Sequence, residues 1–197
     1  MELIPLWIKL SYTAFVVVTV AVYVVKYPLW NFLWGSDIAL IATVPALWLE
    51  CSLLASMMLV GILLPELVWN AAFFGRLLTG KRLVGLTDYM FDPMKPRYLR
   101  AISLFHVFLP PLLLWMVARL GYDSDALFGQ TLLTWVLLPL TYWLADPKVE
   151  NVNWVFGWTS KPQTRIPPLA YLGLMMIGSP LLIYLPIHLL LQALFNS

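Results

Sequence analysis

Six apolar stretches divide this chain, at about 5–25, 32–48, 52–73, 99–119, 126–145 and 169–194, with polar breaks between them. A helix that crosses the hydrocarbon of a bilayer needs about 20 apolar residues, so 197 residues hold six such helices with little to spare. Composition decides against the alternatives. The chain is 61% hydrophobic and only 11% charged, whereas soluble domains are about 25% charged. So little charge cannot clothe a surface that faces water. A soluble globular domain, a disordered chain and a nucleic-acid-binding protein are excluded. The expected fold class is all-α: a polytopic membrane protein, a six-transmembrane-helix bundle with two longer cytoplasmic loops, forming a single integral membrane domain over 1–197.

Those two loops are 74–98 and 146–168, and both are broken by glycine and proline. Helices two and three are joined by Leu49–Ser52, a hairpin-length connection. Asn31 or Ser36 is placed to cap the second helix. Prolines inside the apolar stretches (Pro65, Pro110, Pro111, Pro139, Pro180, Pro186) are tolerated in membranes, where neighbouring groups satisfy the freed backbone. Tyr27, Trp30, Trp34, Trp48, Trp69, Tyr98 and Trp143 fall near segment ends, where an aromatic belt sits. The first stretch lacks an early basic residue and a small-residue cleavage site, so it reads as a retained helix rather than a signal peptide. One cysteine, Cys51, leaves no intramolecular disulfide and no cysteine-based zinc site.

Basic residues give the orientation. Ten of the 12 lysines and arginines fall in the connections after helices one, three and five or, as Arg100 does, within two residues of them. The positive-inside rule then places both termini outside and the long loops in the cytoplasm. With no signal peptide and compact loops, the bacterial plasma membrane is the expected location. Membrane lipids are the expected partners; a homo-oligomer is left open, and no cofactor is expected.

Ionisable groups inside a bilayer cost several kcal/mol and need a reason to be there. Asp37, Glu66 and His106 each lie about six or seven residues inside their segments from the cytoplasmic side, about 10 Å deep at 1.5 Å per residue. Asn70 lies one turn nearer water, and Asn151 and Asn153 lie in the loop on the same side. These residues predict a polar pocket opening to the inner leaflet. The plain alternative is structural: Asp37 and Glu66 pair with Lys26, Arg97 or Arg100 to lock helices together, and His106 is a core histidine bonded to a carbonyl. His188 reads as interfacial, and Glu50 as a solvated charge.

Three chemistries fit such a pocket. In acyl hydrolysis or transfer, Ser36 is the nucleophile, His106 the base and Asp37 or Glu66 its orienter; Asn70, Asn151 and Asn153 bind substrate. A metal site built from Asp37, Glu66 and His106 with Asp88 or Asp92 ranks lower, because no metal-ligand spacing supports it, and no metal is expected. A non-enzymatic small transporter, channel or scaffold is the remaining alternative, since intramembrane carboxylates often mark ion pathways.

Three stretches carry a family likeness: LWGSDIALI at 33–41, LTDYMFDPMKPRYLRAISLFH at 86–106 and NVNWVFGWTSKPQT at 151–164. They resemble segments of the YwaF-like bacterial integral membrane proteins and the related six-helix transmembrane acyltransferases of ether phospholipids. The six-helix plan is also similar to that of the androgen-induced membrane lipid hydrolases, which use a threonine and a histidine on lipid esters. The resemblance implies a lipid-facing enzyme with His106 at the histidine position and Ser36 where a reactive nucleophile lies. Here serine stands in place of a relative's cysteine, and the hydrolases' threonine has no counterpart.

Overall fold

A computed structural model describes residues 3–82, 85–159 and 161–195. Every regular element among them is helical. In chain order they are α1 (Leu6–Lys26), a 3₁₀ turn (Leu29–Leu33), α2 (Gly35–Trp48), α3 (Ser52–Thr79), a 3₁₀ turn (Gly85–Met90), α4 (Arg97–Ile102), α5 (Phe105–Leu120), α6 (Ala126–Leu144), a 3₁₀ turn (Val152–Trp154), α7 (Pro168–Gly178), a π-helical turn (Ser179–Tyr184) and α8 (Leu185–Phe195). Helices α4 and α5 run on as one span, as do α7, the π turn and α8, giving five helical units long and apolar enough to cross a membrane. Their outer faces stay apolar: Val25, Leu78, Trp143 and Leu182 are all strongly exposed. So much exposed apolar surface suits lipid rather than water.

The second apolar stretch is the exception. Its helix, α2, has 14 residues, about 21 Å of rise, short of the roughly 30 Å hydrocarbon core. The chain enters it through the 3₁₀ turn and Trp34, so the helix starts inside the bundle. Neither Asn31 nor Ser36 caps it through a side chain. The cap comes from 118 residues away: Asn153 Oδ1 accepts from Gly35 N at 3.0 Å. Asn153 itself holds φ +51, a left-handed conformation that asparagine tolerates. Its amide donates to Leu33 O (2.6 Å) and Thr141 Oγ1 (3.2 Å). Irregular backbone at this depth survives only where protein or a cavity answers its polar groups, and Asn153 supplies that answer.

Helix α3 is the hub, packing on α2, α5, α6 and the last span. Its seam with α6 relies on two glycines. Gly61 leaves room for the Gln130 side chain, and Gly129 on α6 leaves room for Met57. Small residues let helices approach closely in membranes. The core between α1, α2, α3 and α5 is filled by Leu40, Leu47, Leu59, Leu109, Leu113 and Met116, all sealed from solvent.

Helix prolines leave carbonyls without their usual donor, and side chains answer two of these. Residue 110 would donate to His106 O, but proline has no N–H. Asn70 Nδ2 reaches that carbonyl at 2.8 Å. Pro180 does the same to Met176 O, which accepts from Trp135 Nε1 at 2.9 Å. At the opposite end, Glu50 is no free charge: it accepts from Leu3 N, Ile4 N and Lys9 Nζ and ties the start of the chain to the α2–α3 hairpin. His188 is buried rather than interfacial, 2.6 Å from the Tyr122 hydroxyl.

Candidate functional site

The 3₁₀ entry to α2, the middle of α3, the α4–α5 joint, α6 and the π turn enclose a cavity of about 300 Å³. Its wall runs along α3 from Gly61 to Trp69, an axial length of about 12 Å. Ser36, Asp37, Glu66, His106 and Asn153 all line it. The stretches 33–41, 86–106 and 151–164 each contribute residues to this one wall.

At its centre is a histidine–carboxylate pair. His106 Nδ1 lies 2.8 and 2.9 Å from the two oxygens of Glu66, whose side chain is 3% exposed. The imidazole is stacked between Trp69 (4.6 Å) and Phe105 (4.1 Å), near-parallel to both. A carboxylate only accepts hydrogen bonds, so it favours the tautomer with the proton on Nδ1 and a lone pair on Nε2. Nε2 has no partner among the described residues. Position follows from local sequence. Ser103 and Leu104 form a tight turn between α4 and α5, and His106 enters the first turn of α5. Asn70 then bonds both the His106 carbonyl and the Glu66 carbonyl, at 2.8 Å each. It clamps α3 to α5 at the level of the pair.

Asp37, also on the cavity, is 4% exposed and accepts from Asn31 Nδ2 at 3.2 Å. It makes no hydrogen bond with His106 or Glu66. Ser36 occupies the first turn of α2 beside it. Its hydroxyl makes no hydrogen bond among the described residues, to His106 or otherwise. The backbone N–H groups of Ser36 and Asp37 find no acceptor there either, as expected of a helix's first turn.

The remaining expected residues stand elsewhere. The Asn70 amide is committed to two carbonyls, and the residue is absent from the lining. Asn151 is buried and folds its own loop, donating to Gly157 O and Thr159 O and accepting from Phe156 N. Lys26, Arg97 and Arg100 form no ion pair with Asp37 or Glu66 among the described residues. Asp88 is taken by Arg76 (2.6 Å) and Arg82. Among the described residues, no three His, Cys, Asp or Glu side chains gather closely enough to hold a metal ion.

The structure adds residues that pattern alone did not point to. Tyr27 and Trp34, placed in the aromatic belt by sequence, line the cavity together with Tyr23, Tyr89, Lys95, Glu150 and Trp154. Burial raises the Glu150 carboxyl above its ordinary range, while Lys95 and Trp34 hold it back. Burial also raises the Tyr27 phenol, reinforced by the negative charges of Glu150 and Asp37. The one available signal was the proximity of Glu150 to Asn151 and Asn153, the residues that fold its loop back onto α2.

No protein family, no curated protein and no solved structure was found to match this chain.

Proposed function

We propose that this chain is a lipid ester hydrolase or acyltransferase of the bacterial plasma membrane, working from the cytoplasmic leaflet with both termini outside. The observation that carries the reading is the His106–Glu66 pair: a buried carboxylate fixes the imidazole through Nδ1 and leaves Nε2 without a partner, on a cavity shared with the Ser36 hydroxyl. A base oriented by a third group is the recurring logic of activated nucleophiles. The likeness of the three cavity-lining stretches to lipid-processing six-helix proteins supports it.

In this reading Ser36 Oγ attacks the ester carbonyl while its proton passes to His106 Nε2. The oxyanion accepts from the unpaired N–H groups of Ser36 and Asp37 at the start of α2. Collapse breaks the ester C–O bond, and the leaving alcohol takes the proton back from Nε2. Water then cleaves the acyl-serine in hydrolysis, or a second alcohol takes the acyl group in transfer; His106 again accepts the proton and gives it to Ser36 Oγ as the acyl C–O bond breaks. Ser36 and His106 are not hydrogen-bonded here, and such contacts often tighten only around substrate.

The test uses purified protein, fluorogenic acyl esters and a serine-reactive fluorophosphonate. Wild type should label and hydrolyse. Ser36→Ala should abolish labelling, and Glu66→Gln and His106→Ala should slow turnover by about 10²- to 10⁴-fold. Labelling that survives Ser36→Ala removes Ser36 as the nucleophile. The three carboxylates on the cavity favour a second reading, a non-enzymatic cation or proton pathway. Ester-inactive protein that carries ion flux in liposomes would establish it.

A further inference from the structure

Lys95 is the only lysine or arginine among the described lining residues, and its surroundings are unusual for a loop lysine. It follows a turn in which Asp92 Oδ1 accepts from Met94 N and Asp92 O from Lys95 N. Pro93 and Pro96 stiffen the same turn. The ammonium lies 5.2 Å from the ring centre of Tyr89 and 5.6 Å from that of Tyr27. It has no hydrogen-bond acceptor and no carboxylate within ion-pair distance among the described residues. The cation is therefore held by two aromatic faces, with Glu150 near enough for each charge to act on the other.

Around this position the cavity favours positive charge. Its other ionisable walls are Asp37, Glu66 and Glu150. Glu66 is engaged by His106, but Asp37, nine-tenths buried, spends one oxygen on Asn31 and has no partner for the other among the described residues. Aromatic faces carry the negative end of the ring quadrupole and bind ammonium groups. An anion here would meet those faces and the acceptor oxygens of three carboxyl groups.

We propose that the mouth of the cavity is a binding site for an organic ammonium ion, filled in this structure by the chain's own Lys95. The ligand class it selects is an amphiphile with an amine or quaternary ammonium head and an apolar tail. The tail follows the cavity past His106 toward Gly61 and Ile183. Lysine suits the role of a displaceable occupant, because its flexible four-carbon stem can withdraw. The inference deepens the ester-transfer reading by naming the head group, yet the recognition itself requires no chemistry.

The test therefore uses non-ester probes, octyltrimethylammonium and octyl sulfate, titrated into the full chain in a neutral maltoside detergent. Binding is read by tryptophan fluorescence, and the exposure of Lys95 by its acetylation rate in mass spectrometry. Octyltrimethylammonium should bind and make Lys95 acetylate faster as it displaces the ammonium from the rings. Lys95→Met should tighten that binding about three- to tenfold, and Tyr27→Leu with Tyr89→Leu should weaken it by a similar factor. Tyr27→Phe with Tyr89→Phe keeps both faces and should stay within about twofold; it also serves as the folded control. Preferential binding of octyl sulfate, abolished by Lys95→Met and protecting Lys95 from acetylation, overturns the proposal and makes Lys95 an anion anchor. Ammonium binding indifferent to Lys95→Met and to the double leucine change overturns it too, as does a failure of octyltrimethylammonium to bind. His106→Ala should retain ammonium binding, so failure of the esterase assay and failure of head-group recognition are read separately.

Discussion

Replacing Asn70 with leucine tests how the imidazole is held, because it removes the donor that answers a carbonyl orphaned by Pro110. Asn70 Nδ2 donates at 2.8 Å to His106 O and at 2.8 Å to Glu66 O. Only the first bond is irreplaceable: Glu66 O sits in a continuous helix with its own backbone donor, whereas His106 O faces a residue without an N–H. Leucine keeps the volume and leaves one buried carbonyl unpaired, at a cost of about 1–3 kcal/mol. Side-chain bonds between membrane helices average about 0.6 kcal/mol, so the expected cost lies at the lower end, about 1–2 kcal/mol. For a chain of this size that is about 2–8 °C in thermal midpoint. The decisive measurement is a double-mutant cycle in detergent. Pro110→Ala returns an N–H to position 110, which can bond His106 O from within α5. In that background Asn70→Leu should lose about 1 kcal/mol of its cost. An equal penalty in both backgrounds would refute the account of Asn70 as the substitute for a missing backbone donor.

Three further outcomes follow from the same structure. Asn153→Ala removes the acceptor for Gly35 N and the donor to Leu33 O and Thr141 Oγ1; it should cost about 1–3 kcal/mol and speed amide exchange in the first turn of α2, with Asn153→Asp intermediate. Gly157→Ala would place a Cβ 2.7 Å from the Gln163 backbone nitrogen and 3.1 Å from Lys161 O. Backbone on both sides cannot yield easily, so we expect about 1–3 kcal/mol of destabilisation and faster proteolysis within 146–168. Glu50 is held down to about 2 by the N–H groups of Ile4 and Leu3 and by Lys9. A depressed carboxylate gives its full contribution above its ordinary value of 4.5 and loses it as pH falls toward 2. Amide protection at Leu3 and Ile4 should fall across that window, and Glu50→Gln should flatten the profile.

Much of the architecture was readable because it depends on quantities that every residue carries. Apolar runs long enough to span a bilayer, too few charges for a water-facing surface, and the hairpin at Leu49–Ser52 needed no knowledge of contacts. Glu66 and His106 stood out for the same reason: an ionisable side chain in an apolar run is costly wherever the helix lies. The pairing of those two, against the alternative of Lys26, Arg97 or Arg100 as partners, was not readable. It depends on which faces of α3 and α5 meet, and helix rotation is set by packing at Gly61, Asn70 and Pro110. The start of α2 inside the bundle was equally hidden, since its cap is a loop asparagine far along the chain. Nothing in the sequence joins Lys95 to Glu150; only the fold of the loop that carries Glu150 and Asn153 over the entry to α2 gathers them with Tyr27 and Tyr89. Sequence alone thus determined the helical class and which polar groups stand within the apolar segments, because burying charge and sparing backbone polarity are local energetic demands. Tertiary structure decided which of those groups share a cavity, because side-chain convergence depends on helix register and loop closure, and neither leaves a periodic trace in the chain.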